Sequence, residues 1–201
     1  MLALAQSDQV AILGFNRQQH QVGSADLPFM YLGLEANISL LKEQSDQVAE
    51  YLLKLFNKFE LTGLFSLDMM LSSDSLKVLE LNPRIPASFE HYQQLLPRFN
   101  LIEAHLQACR GLAVARLPKP IGRVANRILF APFKGVLAAD MEWPEWTADR
   151  PIPETVFQLG EPICSITAKD DSDSSNEQSQ MLAALLESRA RVILQQLNRI
   201  N

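Results

Sequence analysis

The 201-residue sequence has only two cysteines, Cys109 and Cys164, far apart and with no CxxC or Cys/His spacing. Neither a disulfide framework nor a structural zinc site is expected from them. No apolar run approaches the roughly 20 residues that span a bilayer. The opening Met1-Leu2-Ala3-Leu4-Ala5 lacks the length and basic flank of a secretory signal. Excess positive charge is missing too: the formal net charge is −5, which gives no footprint for nucleic acid or an anionic membrane. Gly-rich phosphate loops of the GxGxxG or Walker type do not occur, and there is no internal repeat. These absences leave a cytoplasmic protein with two reduced thiols as the expectation. What is present is ordinary globular composition, 47% hydrophobic and 20% charged, enough for one sizeable domain or one with a smaller appendage.

Hydropathy patterning predicts an α+β chain. Leu2 to Phe15 reads as apolar β structure broken at Ser7-Asp8-Gln9, which predicts a hairpin, followed by a polar loop from Asn16 to Leu27. Leu40, Leu41, Val48, Leu52, Leu55 and Phe56 recur at helical spacing between Ser39 and Phe59, with Glu50 and Lys54 as an i,i+4 pair. Leu64 to Leu71, a turn at Ser72 to Ser75, and Leu76 to Asn82 read as a second hairpin. Short helices are predicted from Phe89 to Leu96 and, with capping-box spacing at Asn100 and Glu103, on to Cys109. A strand pair is expected within Gly122 to Leu137, a last strand at Pro162 to Ala168, and a terminal helix from Met181 to about Ile200. The linker between them carries Asp171, Asp173 and Ser175, but it lacks the glycine and closing glutamate of a calcium loop.

The informative feature is a pair of carboxylates in strands that otherwise read as core. Asp68 sits among Phe65, Leu67, Met69 and Met70, and Glu80 between Leu79 and Leu81. A turn at Ser72 to Ser75 puts them opposite each other or one step off, depending on register. Alternation adds Ser66 and Met70 to the face of Asp68, and Asn82 to that of Glu80. Arg84 continues the row if the chain stays extended between its flanking prolines. Two readings stay open on the residues alone: solvated carboxylates with Arg84 paired to Glu80, or a hard-cation site beside a phosphate.

The runs Gly63-Leu64-Phe65-Ser66-Leu67-Asp68-Met69-Met70 and Val78-Leu79-Glu80-Leu81-Asn82-Pro83-Arg84 resemble the signature of the ATP-grasp superfamily. The resemblance implies the C-terminal half of an ATP-grasp fold, an antiparallel sheet with packed helices, over residues 1–118. A small β-appendage and terminal helix would follow over 119–201. It implies Asp68, Glu80 and Asn82 as ligands of magnesium (or manganese) on ATP, Arg84 as the contact to phosphate or acyl phosphate, and Met70 beneath the adenine. Gly14-Phe15-Asn16-Arg17-Gln18 resembles the strand exit and loop before the family's long helix, which implies Arg17 as a further nucleotide contact, with His20 nearby. Cys164, in the appendage, is expected to be a buried apolar residue.

The implied activity is an ATP-dependent carboxylate–amine (or –thiol) ligase that uses small-molecule substrates and works through an acyl phosphate. The family's nucleotide-binding lysines and flexible phosphate loop are not found ahead of Leu2. The expectation is therefore a chain that begins inside the second half of the grasp, with its other half supplied in cis or in trans. The alternative is a non-catalytic domain that pairs with that missing half, or with a partner chain, through an exposed first strand.

Overall fold

The computed structural model describes residues 1–21, 29–72, 75–172 and 178–199 of the chain. Residues 73 and 74 of the predicted turn, residues 22–27 of the Asn16–Leu27 loop, Asp173 and Ser175 of the linker, and Ile200 lie outside the described residues. The elements in chain order are β1 (Leu2–Gln6), β2 (Gln9–His20), β3 (Tyr31–Ile38), α1 (Lys42–Phe59), β4 (Gly63–Leu71) and β5 (Leu76–Asn82). Then come α2 (Phe89–Leu95), α3 (Leu101–Cys109), β6 (Arg123–Phe130), β7 (Gly135–Leu137) and β8 (Thr147–Ala148). The chain ends with β9 (Val156–Phe157), β10 (Pro162–Asp170), α4 (Gln178–Leu194) and β11 (Leu197–Arg199).

The chain forms two compact units, Met1–Arg17 with Ala36–Gly122, and Gln18–Glu35 with Arg123–Asn201. In the first unit the strand order is β5-β4-β1-β2, with antiparallel pairings. One sheet face is covered by α1: Val48 and Leu52 join Ala3, Ala5, Phe65, Leu67 and Leu76 in a single apolar cluster. Alternation sends Leu2, Leu4 and Leu64 to the other face, where they are buried and α3 lies against β1 and β4. His105 of α3 fixes that contact by accepting the Leu64 N–H on Nδ1 at 2.9 Å. Helix α1 starts later than Ser39 because Leu41 is extended and its N–H donates to Gln44 Oε1 at 3.1 Å. The Asn100 cap forms as predicted, its Oδ1 accepting the Glu103 N–H at 3.0 Å.

Several expectations need correction. Strand β2 does not end at Phe15 but runs to His20, so Asn16 and Arg17 lie in a strand rather than a loop. Strand β1 is not an exposed edge, since it pairs with β2 on one side and β4 on the other. The edge on that side is β5, beyond β4.

In the second unit the order is β3-β6-β10-β8, and β11-β7-β9 form a smaller sheet. β6 and β7 do not pair with each other as predicted; β6 takes β10, and β7 takes β9 and β11. Helix α4 ends at Leu194 and the chain re-enters a strand, β11. Leu182, Leu186, Ala190 and Ile193 of α4 pack on Cys164, Ile166 and Ala168. No helix among the described residues is long and apolar enough to cross a membrane.

Candidate functional site

The β4–β5 register pairs Asp68 directly with Glu80, and Ser66 with Asn82 one row earlier. Cross-strand partners have Cβ atoms about 5 Å apart, so the two carboxylates can converge on one cation. Ser66, Asp68 and Met70 alternate with Phe65, Leu67 and Met69, which pack toward α1. The carboxylate row therefore lies on the α3 side of the sheet. Cover falls away along that row: Ser66 is 8% exposed, Asp68 is half-buried and Met70 is 58% exposed. The like-charged pair thus stands where the helix no longer shields the strand, and water or a bound ion can reach it.

Beyond Asn82 the chain does not stay extended. The Arg84 N–H donates to the Asn82 carbonyl at 2.9 Å, a tight turn to which the fixed φ of Pro83 is suited. This corrects the expectation that Arg84 simply extends the row. The turn folds Arg84 back, so that its Nη2 donates to Asn82 Oδ1 at 3.4 Å. Arg84 thus stays beside Asn82, one row from the Asp68–Glu80 pair, and a cation taken up by Asn82 Oδ1 would compete with the long Arg84 contact.

The donors are hard oxygens, two carboxylates and one amide, which suits a cation that keeps waters and phosphate oxygens in its remaining positions. Among the described residues no group of three or more His, Cys, Asp or Glu could hold a metal. A divalent ion here would thus depend on Asn82 and on its ligand for a full shell.

Arg17 is not brought to this row. It follows Phe15, which packs on the α1 cluster, at the same-face spacing, whereas Asp68 and Glu80 lie on the opposite face. The face that β2 shares with the carboxylates is filled at Gly14 and Asn16. Tyr92 of α2 packs so close that a Cβ on Gly14 would sit 2.4 Å from its Oη. The Tyr92 hydroxyl donates to Asn16 Oδ1 at 2.8 Å and accepts the Asn37 N–H at 3.3 Å. Burial pushes that phenol well above the usual range for tyrosine. His20 stacks edge-on against Tyr31 at 6.3 Å in the second unit.

A residue that sequence alternation misses is Lys77. A bulge between Asp68 and Met69 makes Leu79 the extra residue of β5, so Met69 opposes Val78 and Met70 opposes Lys77. Counting back from Glu80 by twos lands on Val78; the bulge instead turns Lys77 onto the carboxylate face. The pattern carries a trace of this, since the polar positions 77, 80 and 82 fail to alternate by one residue, at the adjacent apolar pair Val78-Leu79.

Residues 1–88 match the ATP-grasp domain family. A curated relative, an uncharacterized protein of Methanocaldococcus jannaschii, is 25% identical over 152 residues, covering 72% of this chain and 35% of its own length. Among solved structures, L-amino acid ligase from Bacillus licheniformis is similar with a TM-score of 0.63 at 14% identity, over 99% of this chain and 50% of that one. N5-carboxyaminoimidazole synthetase from Staphylococcus aureus, complexed with ADP, gives a TM-score of 0.60 at 14% identity, over 93% and 49%. The chain thus spans about a third of its curated relative and about half of these solved chains.

Proposed function

We propose, starting from the ATP-grasp family to which residues 1–88 belong, that the chain carries the Mg·ATP-holding half of a carboxylate–amine (or –thiol) ligase. The observation that carries this reading is the direct pairing of Asp68 with Glu80, with Asn82 one row on, at the uncovered end of an otherwise apolar strand pair. Two like charges placed opposite each other are unfavourable by themselves, and a divalent ion relieves that repulsion. Asp68, Glu80 and Asn82 would hold the ion, which when bound neutralises charge on the phosphoryl oxygens. Arg84 meets the anion, and Met70 offers an exposed apolar surface to the base.

In the reaction so read, a substrate carboxylate oxygen attacks the γ-phosphorus of ATP, forming an acyl phosphate and releasing ADP. An amine or thiol then attacks the acyl carbon, phosphate leaves with the bonding electron pair, and the nucleophile gives up its proton. The chain's own contribution is to position and neutralise, not to supply a covalent group. The remaining grip on the nucleotide would come from the family's other half, in cis or in trans, as the half-length match to the solved ligases suggests.

Calorimetric titration with Mg·ATP and with Mn2+ tests this. Wild type is expected to bind both, and Glu80→Ala to weaken both by at least about tenfold, the loss of one of two anionic ligands. Absence of binding in wild type, or unchanged affinity in Glu80→Ala, overturns the reading. A second reading, a non-catalytic docking domain, is favoured by the apolar tip formed by Met70, Leu71, Val78 and Leu79, exposed by 58%, 41%, 38% and 60%. It predicts association with the complementary half that is indifferent to Glu80→Ala.

A further inference from the structure

We propose that Lys77 is a polyphosphate contact of the same site, an inference that rests on the nucleotide-binding reading above. The bulge sets Lys77 opposite Met70, one row beyond the Asp68–Glu80 pair and on their face. Rows on one face are about 7 Å apart along a strand, a length that the four-carbon lysine stem can match. Lys77 is exposed, and no described hydrogen bond or ion pair of the chain engages its ammonium. The charge is therefore not committed to Glu80 or Asp68.

The local electrostatics favour it there. A row with two carboxylates that receives a polyphosphate gathers negative charge on both sides of the divalent ions, and a mobile ammonium at its rim offsets the excess. The bulge is what makes this possible. In an unbroken ladder Lys77 would turn toward the α1 face with Leu79 and Leu81, and the apolar Val78 would stand beside Glu80. The competing account is a solvated lysine that guards the edge strand β5 against pairing with other chains.

Calorimetry with Mg·ATP, adenosine and Mn2+ on wild type, Lys77→Ala and Lys77→Arg separates the two. The proposal expects Lys77→Ala to weaken Mg·ATP about tenfold, the loss of one charge-assisted contact. It expects adenosine binding to change much less than that of Mg·ATP, since Lys77 stands beside Met70, Mn2+ alone to bind no more weakly, and Lys77→Arg to keep most of the affinity. The gap between wild type and Lys77→Ala should narrow as salt rises. Equal Mg·ATP affinity in wild type and Lys77→Ala, with Glu80→Ala still impaired, overturns the Lys77 role and leaves the nucleotide site standing. A wild type that does not bind Mg·ATP overturns both. Melting temperature serves as the folding control and should not move in Lys77→Ala, because the side chain is exposed.

Discussion

The two units treat their inward-lying carboxylates in opposite ways. In the second unit Glu35 is 4% exposed and is matched at once: Arg123 Nη1 donates to its Oε1 at 2.9 Å, and Ser179 Oγ at 2.7 Å. In the first unit Asp68 is set across the strands from Glu80, and no described side chain closes on it as Arg123 does on Glu35; the nearby cation is the Met1 ammonium, which donates to the Leu67 carbonyl. The difference follows from burial. A carboxylate without water must find its counter-charge within the protein, whereas one at the limit of helix cover keeps its water. A charge matched by a side chain in this way serves the fold, and two like-charged side chains held in fixed register at the surface are accessible to a ligand.

The sharpest way to break this contrast is to unmatch the closed pair. Arg123→Ala takes the counter-charge from the buried Glu35 while the Ser179 hydroxyl stays, and should cost about 3–5 kcal/mol in urea unfolding. The apolar double change Glu35→Leu/Arg123→Met should recover most of it, because no charge is then stranded. A cost near zero for Arg123→Ala would mean that water reaches Glu35 and that the two carboxylate settings are alike. The neutral polar cluster of the first unit should be less sensitive. Tyr92→Phe removes the hydroxyl shared by Asn16 and Asn37 and is expected to cost about 1–2 kcal/mol.

This contrast also explains what the sequence could convey. Helix α1 and the β4–β5 hairpin were legible because their apolar periods are local, and so was the opposition of Asp68 and Glu80, since the hairpin turn ties the two strands together. Strand β3 was not legible. Its Glu35 reads as polar only until Arg123, 88 residues away, explains its burial. Its Gly33 interrupts the apolar run because a Cβ there would lie 2.2 Å from the Asn126 carbonyl oxygen. The partners of β6 and β7 are equally non-local, since apolar spacing shows a strand but not its neighbour. Within the site, the turn at Pro83 and the bulge at Leu79 each moved a side chain, and both depend on backbone geometry that residue type indicates only weakly.

The two thiols extend the comparison into alkali. Cys164 is 2% exposed, and burial, with Asp149 nearby as the smaller cause, pushes its thiol up to about 12 from 9.0. The folded state therefore keeps a proton that the unfolded chain releases, so stability should be intact below pH 9 and decline as pH rises toward 12. Cys164→Ala should flatten that decline relative to its own neutral-pH value. At pH 8 a thiol reagent should label the exposed Cys109 and spare Cys164; labelling of both at equal rates would show that the α4–β10 core admits water.

The smallest expected effect tests the open pair itself. Asp68→Asn removes one of two like charges while keeping the strand's shape and most of its hydrogen-bonding capacity. Cross-strand charge terms at partly exposed positions amount to about 0.2–1 kcal/mol, so the variant should melt at the wild-type temperature or slightly above it. Added Mg·ATP should then raise the melting temperature of wild type but not of Asp68→Asn, because ligand stabilisation follows affinity. A marked loss of stability in Asp68→Asn would place this carboxylate with Glu35, as a group the fold needs. A rise without ligand together with loss of the Mg·ATP shift would show that the first unit gives up a little stability to hold its two carboxylates together, and that the pairing belongs to binding rather than to folding.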